Sequence, residues 1–423
     1  MVRGGASCRD VTATVDTAEI APLRAGTPAY RRTTLALFIA GLTTFGSMYS
    51  TQAVLPELTR VFGSAPATSA LAVSVTTGLL ALAIIPVSAL SERFGRTRVM
   101  TASAIAAVAL GLVIPLAPSL GVLLALRALQ GIALAGVPAV AMAYLAEEVD
   151  GRDLGGAMGR YVAGTTIGGL LGRVVTAAGL DLLPWRAAME VFALAAAALT
   201  VVMIRTLPRS RFHTPARVSV STTVRGMAGH VRRPALAVLF VLAFLLMGGF
   251  VSAYNYLGFR LLERPFGYSS GVVGLVFLIY LAGTWSSGAA GRLADRLGRR
   301  RVLLVSIAAM AAGLAITLPD RTAAVLLGMI VFTAGFFGAH SVASGWVGAL
   351  ATEHRAEASS GYLFCYYAGS SVVGAAAGIA YSSLGWGGIV AAVGVAIAAA
   401  FLLAAAVLPR SFGDRTAGTG GTK

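Results

Sequence analysis

The chain has 423 residues, of which 57% are apolar and only 12% are charged, and its formal net charge is +16. Soluble globular domains carry about 25% charged residues, so this composition excludes a soluble protein and indicates one that lies in lipid. The basic residues occur in short clusters between apolar segments, and all but Lys423 of the 33 are arginines. Because they form no continuous basic stripe, we expect no nucleic-acid partner.

Hydropathy divides the chain into twelve apolar segments, each close to the length of about 20 residues that a helix needs to cross a bilayer. The predicted segments are 33–54, 68–90, 99–117, 120–145, 157–180, 185–207, 234–258, 270–291, 301–318, 322–350, 359–383 and 386–408. The sequence therefore predicts an all-α membrane protein with twelve transmembrane helices.

A long polar loop separates the predicted helices into two groups of six. The predicted units are a disordered tail at 1–32, an N-terminal six-helix bundle at 33–207, a linker at 208–233, a C-terminal six-helix bundle at 234–408 and a second tail at 409–423. Arginines in the linker favour its attachment to anionic lipid headgroups.

The arginine distribution predicts the orientation in the membrane. Of the 33 basic residues, 26 lie in or beside the tails and the even-numbered loops, 5 lie in or beside the odd-numbered loops, and Arg127 and Arg173 lie inside helices. Cytoplasmic loops are the ones enriched in Lys and Arg. We therefore expect a multi-pass protein of the bacterial cytoplasmic (inner) membrane with both termini in the cytoplasm.

Two charged hairpins show that one half of the chain repeats the other. The stretches SALSERFGRTR at 88–98 and GRLADRLGRRR at 291–301 share a spacing of Leu, acid, Arg, Gly and Arg, and they begin 203 positions apart. Glycine permits the tight bend that we expect at Gly95 and Gly298. A repeat of six plus six helices places a substrate site between the halves near the middle of the membrane, which predicts alternating access.

The second hairpin fits the pattern G-x-L-a-D-R-x-G-R-R in full, and the first fits it with Ser88, Glu92 and Thr97 in place of Gly, Asp and a basic residue. On these motifs the chain resembles the major facilitator superfamily over nearly all residues after 33. The resemblance implies two six-helix pseudo-repeats and charged hairpins that pair across the halves in one access state. The residues concerned are Glu92, Arg93, Asp295, Arg296 and Arg299.

Arg127 lies several residues inside the fourth predicted helix, in the pattern L-x-x-x-R-x-x-Q-G that also contains Gln130. An arginine at the centre of a membrane helix costs roughly 3 kcal/mol even on the lenient insertion scale, so it should face a cavity or a partner. In the superfamily that this chain resembles, the pattern is linked to proton coupling. The alternative is an arginine that extends to the nearby outer interface.

Glycines in the fifth predicted helix resemble the antiporter motif g-x8-G-x3-G-P-x2-G-G. The matching positions are Gly155, Gly164, Gly168 and Gly172, whereas Gly169 stands where the motif has Pro and Arg173 where it has the last Gly. The resemblance favours export. Close packing of helices explains such glycines equally well.

Arg173 is the second arginine inside a predicted helix, and the antiporter motif does not explain it. If it faces the cavity, it makes the middle of the membrane electropositive and suits an anionic substrate. Alternatively, it lies near the outer end of its helix and pairs with Asp181. The sequence does not decide between these two positions.

Polar and aromatic residues in four helices are candidates for lining the substrate pathway. They are Tyr49 and Gln52 in the first helix, Tyr254, Asn255 and Tyr256 in the seventh, His340 and Trp346 in the tenth, and Tyr366 and Tyr367 in the eleventh. Gln52 aligns with Tyr256 at an offset of 204, as facing walls of one cavity require; interfacial aromatic belts are the alternative for the tyrosines. Three residues are candidates for protonation: Glu57, Glu190 and His340. Of these, His340 is favoured because histidine titrates near physiological pH. The alternative is that His340 is a buried neutral histidine bonded to a backbone carbonyl.

These observations predict a secondary active transporter that exports a small organic solute, such as a drug-like compound, a sugar or an organic anion, by proton antiport. Segments such as VPAVAMAYLAEEV at 137–149 resemble the bacterial acriflavine-sensitivity or arabinose-efflux-like transporters. Proton-coupled uptake is the main alternative, and a membrane sensor is a further one. We expect a monomer without cofactor or metal. An enzyme is not expected, since the four histidines are scattered without metal-ligand spacing.

Overall fold

The computed structural model describes residues 21–212, 220–351 and 355–409, so parts of both predicted tails and of the predicted linker lie outside the described residues. The described chain folds into fifteen α-helices. These are α1 (Pro28–Ala53), α2 (Leu55–Phe62), α3 (Pro66–Phe94), α4 (Arg96–Val113), α5 (Leu120–Leu134), α6 (Gly136–Glu148), α7 (Leu154–Leu180), α8 (Trp185–Thr206), α9 (Val220–Val231), α10 (Pro234–Leu262), α11 (Ser270–Leu275), α12 (Tyr280–Leu297), α13 (Arg299–Ile316), α14 (Thr322–Leu350) and α15 (Arg355–Val407).

Apart from α2 and α9, which lie between predicted segments, the helices combine into the twelve predicted segments, and the predicted all-α fold of two six-helix pseudo-repeats is confirmed. The pairs α5–α6 and α11–α12 each form one segment, and the 3₁₀ turn Val276–Ile279 joins the second pair. The long helix α15 contains two segments, because Gly385 has non-helical backbone angles (φ 58°, ψ −142°). Within the described residues, eight helical stretches, including Glu357–Val407, are long and apolar enough to cross a membrane.

Glycines make the turns of both charged hairpins, as the sequence predicts. Gly95 has φ 96° and Gly298 has φ 88°, which are backbone angles that residues with a side chain rarely adopt. Both turns lie at the same end of the bundle, which we call the hairpin end. The opposite end, where α7 finishes at Leu180, is the distal end.

Glycines of α7 allow it to pack directly against α1. A Cβ atom at any of three α7 glycines would overlap the α1 backbone. The facing pairs are Gly164 with Phe38, Gly168 with Leu42 and Gly172 with Gly46. Small residues of this kind let membrane helices approach closely, so the packing explanation of the glycine motif accounts for these three positions.

We expect Gly168→Ala to destabilise the protein and Gly159→Ala to leave it equally stable or more stable. The first substitution forces α7 away from Leu42, at about 1 to 3 kcal/mol for overpacking. The second meets no atom within 4 Å on the same helix, where Ala is favoured over Gly by roughly 1 kcal/mol. Thermal unfolding in detergent measures both. Equal melting temperatures for the two variants would show that the α1–α7 contact is not tight.

The two halves are joined at the distal end. Asp181, after α7, accepts hydrogen bonds from Ser269 Oγ at 2.8 Å and from the Gly271 amide at 3.0 Å. Nearer the middle of the bundle, Ser370 Oγ donates to Thr77 Oγ1 at 3.3 Å. These contacts connect α7 with α11 and α3 with α15.

The first charged hairpin forms its ion pairs within its own half. Glu92 forms an ion pair with Arg96 at 2.6 Å, and Arg96 also pairs with Glu147 at 2.7 Å, so the first hairpin is paired within its own half. Between the described hairpins 88–98 and 291–301 there is no hydrogen bond or ion pair. The pairing across the halves that the family resemblance implies for Glu92 and Asp295 is therefore absent from this conformation, which is closed at the distal end.

Part of the predicted linker is helical. Helix α9 packs against α15, α3 and α10 at the hairpin end. Its apolar residues Val224, Met227 and Val231 recur at intervals of three and four positions, which favours an amphipathic helix at a membrane surface. The sequence predicted a linker here without a helix. The structure adds an amphipathic helix to the segment whose arginines are expected to contact lipid headgroups.

Candidate functional site

Arg173 lies between the two halves with its side chain buried. The residue is 2% exposed, and its Nε donates to Gln52 Oε1 at 2.5 Å while its Nη1 donates to the Gly169 carbonyl at 2.7 Å. Asp181 is occupied by Ser269 and Gly271. The alternative in which Arg173 pairs with Asp181 at the outer end of the helix is therefore wrong.

Three aromatic rings enclose the Arg173 guanidinium. Its central carbon lies 4.0 Å from the ring centre of Tyr49, 4.8 Å from that of Tyr280 and 5.1 Å from that of Phe277. We call these three residues the aromatic cage. Tyr49 belongs to the first half and the other two belong to the second, so the cage forms only when the halves meet. Cation–π contacts stabilise the charge, and in the described chain no carboxylate neutralises it.

Gln52 connects Arg173 to the second half. While its Oε1 accepts from Arg173, its Nε2 donates to Asn255 Oδ1 at 2.6 Å. Gln52 and Asn255 are 203 positions apart, which is the offset between the two hairpins. Repeat-equivalent residues that touch each other lie on the pseudo-twofold axis between the halves, so this pair marks the position of that axis.

Tyr256 does not face Gln52 as the sequence predicts. Its ring stacks on Tyr381 at 4.9 Å, and its hydroxyl points toward Gly378. The predicted offset of 204 selects Tyr256, whereas the observed offset of 203 selects Asn255, and successive helical residues point about 100° apart. The prediction had the right helices in contact and the wrong residue.

Two buried polar atoms near the axis have no hydrogen-bond partner in the described chain. They are Asn255 Nδ2 and Ser74 Oγ, and both lie beside Gly374 of α15. Buried polar groups are nearly always hydrogen-bonded, and unsatisfied ones carry a cost of about 1 to 3 kcal/mol each. The region around Gln52 thus offers unused hydrogen-bonding capacity next to the caged arginine.

We expect Gln52→Ala and Asn255→Ala to shift the protein away from the conformation that is closed at the distal end. Each removes the hydrogen bond between repeat-equivalent residues on the axis, and the double variant should add little to either single one, because both act on one interaction. A cysteine introduced at Pro56, which lies close to Gly258 in this conformation, should react faster with a membrane-impermeant maleimide in both variants. Unchanged reactivity would show that the pair does not hold the halves together.

Arg127 lies in the core of the first half. Four of its N–H groups donate to acceptors on three helices. The acceptors are the Ala72 carbonyl at 3.0 Å, the Ser47 carbonyl at 3.0 Å, the Met48 carbonyl at 2.6 Å and Gln130 Oε1 at 2.5 Å. Gln130 in turn donates to the Ala107 carbonyl at 2.9 Å. Arg127 therefore neither extends to the outer interface nor enters the gap between the halves.

His340 belongs to an aromatic group in the second half. Its Nδ1 lies 2.9 Å from the Tyr362 hydroxyl, and its ring centre lies 4.7 Å from that of Tyr366. Tyr366 contacts Tyr367 at 5.2 Å, and Tyr367 packs in the same apolar cluster as Tyr49. On another side, the ring centre of Phe336 lies 6.0 Å from that of His340 and 4.0 Å from that of Phe250, which lies 5.4 Å from Tyr280 of the aromatic cage. These rings connect His340 to the cage.

Sequence reasoning missed two members of the cage, Phe277 and Tyr280. Both lie in an apolar segment where aromatic residues are common, and only their contact with Arg173 distinguishes them. Within residues 21–212, 220–351 and 355–409, no group of three or more His, Cys, Asp or Glu residues could hold a metal ion.

Comparison with known proteins agrees with this architecture. The family profile of the Major Facilitator Superfamily matches residues 37–284 and 257–423. The uncharacterized MFS-type transporter YybF of Bacillus subtilis is 40% identical over 368 residues, which are 87% of this chain and 91% of YybF. The inner membrane transport protein YnfM of Escherichia coli is 40% identical over 381 residues, covering 90% of this chain and 91% of YnfM.

A solved structure shares the fold. A bacterial homologue of the human lysosomal transporter Spinster, in an inward-facing and unoccupied conformation, superposes with a TM-score of 0.72 at 14% identity and covers 90% of this chain and 95% of its own. The relatives and structural neighbours are transporters rather than enzymes. The chain is a multi-pass membrane transporter and belongs to the major facilitator superfamily.

Proposed function

We propose that this transporter exports a small organic anion in exchange for protons. The observation that carries the proposal is the buried Arg173 guanidinium, which lies between the halves and has only neutral partners in the described chain. An arginine within a membrane is costly and is retained for a partner. A transported anion would be that partner.

The geometry of Arg173 suits a carboxylate. A guanidinium has five N–H donors, and Arg173 uses one on Nε and one on Nη1, so three remain, including both on Nη2. Arginine binds carboxylates through two parallel hydrogen bonds, which are roughly twice as strong as bonds between neutral groups. The rings of the aromatic cage would contact the organic part of the substrate.

An anion at Arg173 would also loosen the distal end. A carboxylate bound side-on, through Nε–H and one Nη2–H, would compete with Gln52 Oε1 for the Nε–H group, and Gln52 would then lose the orientation in which it donates to Asn255. Because that hydrogen bond joins the halves on the axis, its loss would favour opening at the distal end. Substrate binding and the change of access would thus be coupled through one amide.

The arginine distribution supports a cytoplasmic hairpin end, with both termini on that side. In this orientation the conformation faces the cytoplasm, since the halves are joined at the distal end and no hydrogen bond or ion pair joins the described hairpins. Glu92, Arg93, Asp295, Arg296 and Arg299 would pair across the halves in the outward-facing state. One chain contains both halves of the site, so we propose a monomer in the bacterial cytoplasmic membrane.

Export and proton exchange rest on the resemblance of the α7 glycines to the antiporter motif and of the chain to the acriflavine-sensitivity or arabinose-efflux-like transporters. His340 is the proposed titrating group, because the rings of Phe336 and Phe250 connect it to Tyr280 of the cage. Arg127 and Gln130 would transmit the change within the first half, where they join α5 to α1, α3 and α4.

Inverted membrane vesicles test the proposal. With an acidic interior imposed, organic anions and their neutral amide analogues are supplied one at a time, and proton release is recorded. We expect release with at least one anion and none with its amide. Proton release driven by neutral compounds alone would refute the anion assignment. If an anion entered right-side-out vesicles together with protons, and inverted vesicles showed no proton release, the result would favour uptake over export.

A further inference from the structure

A groove of about 660 Å³ lies at the hairpin end of the first half, outside the site between the halves. It runs along the start of α4 and the beginning of the segment that follows α8. The residues that matter for its chemistry are Arg93, Phe94, Thr97, Arg98, Ile105 and Arg209. Neither the transport mechanism nor the family motif requires a cavity here.

The three arginines of the groove are not neutralised. Arg93, Arg98 and Arg209 are exposed and form no ion pair or hydrogen bond through their side chains in the described chain; Arg93 lies over the Phe94 ring at 5.2 Å. Arg96, in the same hairpin, pairs with Glu92 and Glu147. Acids are thus available to this hairpin, yet they pair with Arg96 and leave the groove cationic.

The groove also has an apolar side. Phe94 is 48% exposed and Ile105 is 51% exposed. Only 28% of the most apolar part of Arg96–Leu116 is buried inside the protein, so this helix faces lipid over most of its surface. The arginines therefore lie at the level of the headgroups, and the apolar residues continue from them into the hydrocarbon region.

Hydrogen bonds fix the two walls of the groove to each other. Thr97 Oγ1 donates to the Pro208 carbonyl at 3.2 Å and accepts from the Ser210 amide at 3.1 Å. These bonds hold the backbone on both sides of Arg209 against the start of α4. The groove is therefore a formed site with arginines on both walls.

We propose that this groove binds the headgroup phosphate of an anionic phospholipid, with the acyl chains along Phe94 and Ile105. Three unpaired guanidinium groups complement a phosphate diester, which accepts paired hydrogen bonds from arginine. A soluble phosphate would use the arginines and leave the apolar side unused. A bound lipid would connect the hairpin to the segment that leads into the linker.

Purified full-length protein in a neutral detergent tests this site by native mass spectrometry with phosphatidylglycerol. The triple variant Arg93→Gln/Arg98→Gln/Arg209→Gln should bind the lipid at least ten-fold more weakly than the unmodified protein. The matched control, Arg31→Gln/Arg32→Gln/Arg152→Gln, removes the same charge from exposed positions at the same end of the same half and should bind normally. An equal loss in both variants would refute the groove and indicate non-specific attraction.

Two further measurements distinguish a lipid site from a site for free phosphate. Ile105→Gln leaves all three arginines in place and should weaken phosphatidylglycerol binding several-fold, which keeps the proposal testable if the triple variant does not fold. Glycerol 3-phosphate should not displace the lipid at equal concentration. Displacement by glycerol 3-phosphate, or unchanged lipid affinity of Ile105→Gln, would overturn the lipid assignment in favour of free phosphate.

Discussion

Arg173→Gln should lower the affinity for the transported anion by at least 100-fold and leave the protein equally stable or more stable. Two charge-assisted hydrogen bonds to a carboxylate together contribute about 3 kcal/mol or more, which corresponds to more than a hundred-fold in affinity. The expected stability of Arg173→Gln follows from the burial of the guanidinium group. Arg173 is 2% exposed and has no carboxylate partner in the described chain, so its removal relieves the cost of a desolvated charge.

The opposite directions of these two effects distinguish a binding residue from a structural one. Affinity is measured by tryptophan fluorescence or calorimetry with the anion that gives the largest proton release in the vesicle panel, and stability by thermal unfolding of the same preparation. Arg173→Lys is the matched variant: it keeps the charge but loses the planar fork, and should retain part of the affinity. If Arg173→Gln bound the anion normally and unfolded at lower temperature, Arg173 would serve packing only.

The fold was predictable because the lengths of the apolar segments and the positions of the turn glycines both agree with it. Apolar length gave the twelve segments, and the turn glycines Gly95 and Gly298 have the positive φ angles that the hairpin pattern requires. The predicted break near Gly385 is also present, although α15 continues around it. Hydropathy reports burial in lipid, which dominates the structure of a membrane protein.

The site was predictable in part. Gln52, Asn255, Tyr49 and Arg173 were candidates because polar groups inside membrane helices need partners, and they do meet. Which face of each helix points to the axis depends on the rotation of that helix, and hydropathy does not give rotation when all faces are apolar. This explains both the error at Tyr256 and the two positions left open for Arg173.

The position of Arg127 shows the same limit. The sequence places it inside a helix, where it was expected to face a cavity or a partner, with the outer interface as the alternative. Its actual partners are three backbone carbonyls, of Ala72, Ser47 and Met48. Carbonyls are present at every residue, so no sequence pattern identifies which of them will accept. Only Gln130, three positions away, was a visible partner.

Arg127→Met should destabilise the protein by about 2 to 4 kcal/mol, in contrast to the corresponding change at Arg173. Both arginines are buried, at 1% and 2% exposure, but Arg127 uses four of its five donors and Arg173 uses two. Each charge-assisted hydrogen bond contributes about 1.5 to 3 kcal/mol, and the relief of burying a charge offsets only part of that sum. The loss should appear as a lower melting temperature of the purified protein.

The matched variants at this position separate structure from coupling. Arg127→Lys carries the same charge, but one ammonium group cannot reach carbonyls on α1 and α3 together with Gln130, so it should also be destabilised. Gln130→Met removes one acceptor and should cost less than Arg127→Met. Wild-type stability for Arg127→Met would contradict the structural role. If Arg127→Met were as stable as the wild type, still bound the anion and lost proton release, Arg127 would act in coupling alone. Loss of a structural connection between helices would have lowered the stability of the bundle.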